Sequence, residues 1–371
     1  MASALFSPIT LRGLTLPNRI VVSPMCQYSS DNGTATDWHL MHLGSMSLGA
    51  AALVMTEMTN VTPAGRITPK CAGLWSDENE AGLKRVIDFC KTYGVARQGI
   101  QLAHAGRKGS TEPPLLGGRP LAPGIDGGWQ TEAPSALPYG PDWPVPAEMS
   151  RARLQTLIGE FVSAVERAER IGYDLVELHG GHGYLVHQFL SPLSNQRRDD
   201  YGGSLASRMR FPLELFAAMR AAWPADKPMG IRVSATDWVD GGWTPDETVA
   251  FARELEQRGC DYMDVSSGGL DLRQKLPLAP AYQTPFARKV RTEAGIPTMT
   301  VGLITDPALA EDIVAGGRAD MVALGRGVMW DPRWAWHAAE ALGVETEYAP
   351  KMKSCHPALR PQVFPRRQTP A

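Results

Sequence analysis

Residues 229–268, MGIRVSATDWVDGGWTPDETVAFARELEQRGCDYMDVSSG, hold one complete structural unit. The runs MGIRVSA (229–235) and DYMDVSSG (261–268) carry apolar residues on both faces. Parallel strands covered by helices have that pattern. Between them stands Thr244, with Pro245 after it and Glu247 three residues on. This is a capping box with proline at the first helical position, so the spacing predicts a helix over PDETVAFARELEQRG. Strand, helix and strand at this spacing make a β-α-β unit.

The unit recurs outward along the chain. Further strand-like runs are RIVVSPM (19–25), AALVMTEM (51–58), ARQGIQLAH (96–104), YDLVELHG (173–180), PTMTVGLI (297–304) and DMVALGRG (320–327). Helical spacing fills the intervals. RLQTLIGEFVSAVERAERIG ends in glycine, and TDPALAEDIVAGG starts and stops in the same way. Eight β-then-α units predict a single closed (β/α)₈ TIM barrel, an α/β fold. A doubly wound open sheet, the main rival, needs only about six strands. Residues 1–345 are assigned to the barrel and 346–371 to a C-terminal extension rich in Pro, Lys and Arg. A Pro/Gly/Trp-rich stretch at 105–149 interrupts the pattern after the third strand and is expected to be an ordered lid.

Composition narrows the function. The chain has 371 residues, 43% of them hydrophobic, and a net charge of −2, with no sustained basic run for nucleic acid. Its cysteines, Cys26, Cys71, Cys90, Cys260 and Cys355, are scattered and odd in number, which argues against a disulfide framework or a zinc cluster. No apolar run approaches the roughly 20 residues of a membrane span. The start, MASALFSPIT, lacks the basic and apolar parts of a signal peptide. These features predict a cytoplasmic protein.

Active sites of such barrels lie at the C-terminal strand ends. Those ends bring up Pro24, Met25, Cys26 and nearby Tyr28, then Gln101, His179, Arg232, Ser266, Gly302 and Gly325-Arg326-Gly327. Glycine-rich ends of strands 7 and 8 beside Arg326 suit a phosphate, because backbone N–H groups can approach an anion there. Tight turns and a surface arginine would look the same. Arg232 inside an apolar strand is either half of an ion pair or part of a polar-ligand site. Gln101 with Arg232 could meet the edge of a planar heterocycle. In HGGHGY (179–184), His179 and His182 could bind a metal, or could clamp an oxygen as two neutral N–H donors. Tyr184 is either a packed aromatic or a proton donor. A metal-dependent hydrolase and a non-catalytic phosphate-ligand barrel remain as other readings of these residues.

SPMCQY (23–28), GIQLAHAGRK (99–108), HGGHGYLVHQFLSPLSNQRRDDYGGS (179–204) and LGRG (324–327) resemble the Old Yellow Enzyme family of flavin ene-reductases, and PMCQY its thermophilic-like subgroup. The resemblance spans about residues 5–345. It implies non-covalent FMN, with NADPH or NADH as hydride donor, and substrates that are α,β-unsaturated carbonyl or nitro compounds. It implies that Ser23, Pro24, Met25 and Cys26 line the flavin, with Cys26 tuning rather than attacking. It assigns the pyrimidine edge to Gln101 and Arg232, and the phosphate to Ser266, Gly302, Gly325 and Arg326. It gives Tyr28, His179 and His182 to the substrate, and the proton to Tyr184. Asn60 stands where the family has a small, alanine-like residue beside the flavin carbonyl, which implies altered redox tuning. A homodimer or higher homo-oligomer is implied too. The stretch APKMKSCHPALRPQ does not align with the family's tail residue that enters a neighbouring subunit's site. No metal is expected.

Overall fold

The computed structural model describes residues 2–363. Eight strands form a closed barrel: β1 (Ile20–Val22), β2 (Leu53–Asn60), β3 (Arg97–Ala103), β4 (Leu175–Gly180), β5 (Met229–Ser234), β6 (Met263–Ser266), β7 (Thr298–Thr300) and β8 (Met321–Leu324). Each is parallel to the next, and β8 closes on β1 with Val322 opposite Ile20. The helices are α1 (Asp37–Ser47), α2 (Asp77–Tyr93), α3 (Arg151–Ile171), α4 (Leu185–Leu190), α5 (Leu205–Ala222), α6 (Pro245–Glu256), α7 (Thr284–Ala294), α8 (Pro307–Ala315), α9 (Arg326–Trp330) and α10 (Trp334–Ala341). The closed ladder excludes the open sheet. Among the described residues no helix is long and apolar enough to cross a membrane.

Apart from β2, the ladders are shorter than the apolar runs because the strand ends turn into the mouth. After Val22 one more bond, Ser23 N–H to Leu324 O at 2.9 Å, continues the pairing. Pro24 then has no N–H to offer and the chain departs. The capping box of α6 is present in both directions between Thr244 and Glu247. Helix α3 ends at Gly172, whose φ of 95° suits a residue without Cβ.

Two cores result from the two-residue alternation of strands. Ile20, Val22, Val54, Ile100, Leu102, Val176, Leu178, Ile231 and Val233 pack with helix residues in the outer core. Val21, Leu53, Met55, Leu175, Met299 and Met321 fill the barrel interior, joined by Leu11 and Leu16 of an N-terminal hairpin. Each such side chain contributes about 1.5–3 kcal/mol when fully buried. The hairpin thus closes the N-terminal end with hydrocarbon, and the polar inward residues collect at the other end.

The stretch after β3 is irregular but tied down. Trp129 Nε1 donates to Ala64 O at 2.8 Å, and the Arg66 guanidinium lies 5.1 Å from the Trp129 ring and 5.5 Å from that of Trp75. Arg107 donates to Pro138 O and Leu270 O, both at 3.2 Å. Near the C-terminus Tyr348 stacks on Trp336 with centroids 4.2 Å apart. Residues 364–371 of the expected extension lie outside the described residues.

Candidate active site

A cavity of about 580 Å³ opens at the C-terminal strand ends. Ser23, Pro24, Met25, Cys26, Gln101, His179, His182, Tyr184, Arg232, Ser266, Gly302, Gly325 and Arg326 all line it. Tyr28 and Asn60 do not. Tyr28 packs with Cys26, Tyr184, Met58, Cys71, Ala103 and Ala105 beside the mouth. Asn60 is fully buried, donates its amide N–H to Ala72 O at 2.9 Å, and leaves its carbonyl oxygen without a partner among the described residues.

The segment after β1 is held by a carboxylate that sequence reasoning missed. The β2–β3 register shifts between Thr56 and Met58, leaving Glu57 at an irregularity. There Glu57 Oε2 accepts the Gln27 N–H at 3.0 Å and Oε1 lies 3.2 Å from His39 Nε2. Burial, reinforced by Glu57, pushes the Cys26 thiol well above its ordinary range. Cys26 is therefore a neutral thiol at pH 7, not a thiolate nucleophile.

His179 ends β4, and the loop after it is tightly specified. His179 Nδ1 accepts the Gly181 N–H at 3.2 Å, so its proton sits on Nε2. The His182 ring stands 5.2 Å from that of His179, edge to face, and the Tyr184 ring 5.1 Å from His179. Burial and the Arg232 charge hold both imidazoles well below their ordinary range, so both are neutral at pH 7. Burial pushes the Tyr184 phenol up, so it keeps its proton. His182 has φ +54° and its Nε2 lies 2.7 Å from Ser266 Oγ, which also bonds Gln283. Ser266 thus already has partners in the protein. Gly183 has φ +73°, and a Cβ there would come within 2.2 Å of Gly269 O.

Two further supports of this loop were not legible as such. Lys108 Nζ donates to His182 O at 2.9 Å and Gly269 O at 2.8 Å. Burial brings it down to about 7. Behind the loop, His187 Nδ1 accepts the Gly183 N–H at 2.9 Å, and His187 Nε2 lies 2.8 Å from Asp237 Oδ1. Burial pushes Asp237 up, but His187, Ser191 and the Trp243 N–H outweigh it and hold its carboxyl below the ordinary range.

On the floor, Arg232 Nε is 3.2 Å from Asp264 Oδ2. Arg232 is therefore ion-paired, and it also lines the cavity. Gln101 gives its amide N–H to Glu177 Oε1 at 2.8 Å, which leaves its carbonyl oxygen for the cavity. At the far end Gly302 has φ +117°, and the exposed Arg326 side chain makes no hydrogen bond or ion pair with the described residues. A Cβ on Gly325 would meet only Met25 Sδ, at 3.7 Å. No three His, Cys, Asp or Glu side chains among the described residues converge as a metal site.

Residues 4–345 match the family described as NADH:flavin oxidoreductase / NADH oxidase. The chain belongs to that family. Among its relatives, the NADPH dehydrogenase of Geobacillus thermodenitrificans (strain NG80-2) is 42% identical over 349 residues, covering 94% of this chain and 97% of that one. The NADPH dehydrogenase of Bacillus subtilis (strain 168) is 41% identical over 347 residues, covering 93% of this chain and 97% of that one. In three dimensions the chain is similar to morphinone reductase, with a TM-score of 0.77, 26% identity, and 95% and 93% of the two chains covered. The chain is an FMN-dependent oxidoreductase of the NADPH dehydrogenase type, within the Old Yellow Enzyme family.

The residues present fit FMN. The unpaired Arg326 and the open backbone at Gly325 and Gly302 suit a phosphate. The Gln101 oxygen and the Arg232 guanidinium on the floor suit the N–H and carbonyl groups of a pyrimidine edge.

Proposed function

We propose that this oxidoreductase uses NADPH to reduce the activated C=C bond of α,β-unsaturated carbonyl or nitro compounds in the cavity at the barrel mouth. The observation that carries the proposal is the neutral, mutually perpendicular His179–His182 pair with the protonated Tyr184 beside it. Bound FMN supplies the hydride chemistry, from nicotinamide to the substrate's β-carbon. Ser23, Pro24, Met25 and Cys26 line the ring, Gln101 and Arg232 meet its pyrimidine edge, and Gly302, Gly325 and Arg326 hold the phosphate. Ser266 is assigned with them, although its hydroxyl faces His182.

His179 offers Nε2–H to the substrate's electron-withdrawing oxygen. His182 offers Nε2–H in turn when that oxygen replaces Ser266 Oγ as its acceptor. Each donor lowers the energy of charge developing on the oxygen by on the order of 3 kcal/mol. Neutral rings are needed for this geometry, since a protonated pair would repel itself. Tyr184 delivers the proton to the α-carbon, and Tyr28, packed in the same cluster off the cavity wall, supports Tyr184 rather than meeting the substrate.

Stopped-flow absorbance tests the roles separately. In the His179→Ala/His182→Ala variant, flavin reoxidation by an enone slows by orders of magnitude. The proposal fails if it proceeds at the parental rate. In Tyr184→Phe, reduction by NADPH is largely retained while saturated product forms more slowly.

A further inference from the structure

Beneath the cavity floor, behind Gln101, lies an acid that the chemistry above does not use. The ladders set Gln101 opposite Glu177, and His179, Arg232 and Asp264 abreast, across β3 to β6. Glu177 is 1% exposed. Its Oε1 accepts from Gln101 Nε2 at 2.8 Å and its Oε2 from the Tyr262 hydroxyl at 2.9 Å. Tyr262 reaches it because β5 carries Gly230 at that level, where a Cβ would come within 2.3 Å of the Tyr262 ring.

We infer that Glu177 is a positioning residue for FMN that also sets its redox potential: the carboxyl aims the Gln101 oxygen at the ring, and its negative charge opposes the charge the ring gains with electrons. This rests on the placement of the ring over Gln101 and Arg232. The floor presents one guanidinium, Arg232, and two carboxyls, Glu177 and Asp264, are buried beneath it. Burial pushes Asp264 up as well, against Arg232, so the group is neutral overall while one carboxyl keeps its proton and negative once both are ionised. The groups around Glu177 are Gln101 on β3, Arg232 on β5, Tyr262 and Asp264 at β6, and the nearby Cys260 thiol. Burial and then Asp264 push the Glu177 carboxyl up, against Arg232, Gln101 and Tyr262. Its charge therefore appears only toward alkaline pH, and the potential of the cofactor falls as it does.

The test is the midpoint potential of the FMN-loaded protein, measured by spectroelectrochemistry across a pH series, for the parent, Glu177→Gln and Tyr262→Phe. At the acidic end the parent and Glu177→Gln coincide. Toward alkaline pH the parent falls progressively below the variant. Tyr262→Phe removes a donor to the charged carboxyl, so its divergence from Glu177→Gln begins at higher pH than the parent's. A purely structural role for Glu177 gives an offset that is constant with pH, and that result overturns the inference. If Glu177→Gln does not fold, a Tyr262→Phe curve that superimposes on the parent overturns it equally. A parent that retains FMN with a potential indifferent to Arg232→Ala would overturn the placement of the ring as well as the inference, whereas failure at Glu177 alone leaves that placement standing.

Discussion

Lys108 carries its charge into a mostly buried place. Burial brings it from its ordinary 10.5 to about 7 in the folded protein. Between those limits the unfolded chain binds more protons than the folded one, so stability rises with pH across that window. Lys108→Met removes the titration, and denaturation followed from about pH 7 to 10 should show a flatter stability profile than the parent's. Gly183 is a second single-residue constraint. Alanine there meets both a φ of +73° and the carbonyl of Gly269 at 2.2 Å. The left-handed conformation alone costs about 1–2 kcal/mol, and the contact must be relieved by separating this loop from the Gly269–Leu270 backbone, against which the His182 backbone lies. Gly183→Ala should lose at least that much stability in urea and retard enone-driven flavin reoxidation more than reduction by NADPH.

Elements position the site through paired contacts that no one strand contains. Asp237, in the loop after β5, holds His187 on α4, and both are fully buried. Leaving one partner of such a pair alone costs about 3–5 kcal/mol. Asp237→Leu should lose stability on that scale in chemical denaturation, and the loss should be smaller in the double variant with His187→Leu, which leaves neither partner alone. Thr244→Ala, which breaks only the α6 capping box, should cost about 1 kcal/mol with FMN binding unchanged. The barrel was legible because strands covered on both sides read as apolar runs, and most of the residues brought up by the strand-end rule line the cavity. Glu177 and Asp264 were missed, although each stands two residues before a predicted site residue, His179 and Ser266, and so shares its face. Their parity was readable, but their partners, Gln101 and Arg232, lie on neighbouring strands whose register no local pattern encodes. Lys108 stood in the quoted GIQLAHAGRK, yet its acceptors are carbonyls of His182 and Gly269, and carbonyls leave no mark on side-chain identity. Tyr28 follows strand β1 and Asn60 ends β2, but packing against Cys71 and a bond to Ala72 O keep them off the cavity wall.

At the scale of the molecule, FMN binding and folding are linked. The cavity draws residues from all eight strands or the segments directly after them, so a bound cofactor ties the barrel's circumference together. Protein stripped of FMN should melt at a lower temperature than the loaded form, with the difference growing with free FMN as mass action requires. Arg326→Ala should weaken FMN binding by about 10- to 150-fold, the equivalent of about 1.5–3 kcal/mol for hydrogen bonds to a charged group, read by fluorescence titration. The alternation along β4, with Val176 and Leu178 packed outward and Glu177 and His179 turned inward, has a consequence for how errors propagate. Deleting one amino acid early in this strand would exchange the two sets, putting an acid and an imidazole under the helices and hydrocarbon in the mouth. A slipped β4 would therefore lose its packing and its chemistry in the same event, so turnover by this protein also reports that its strands are aligned.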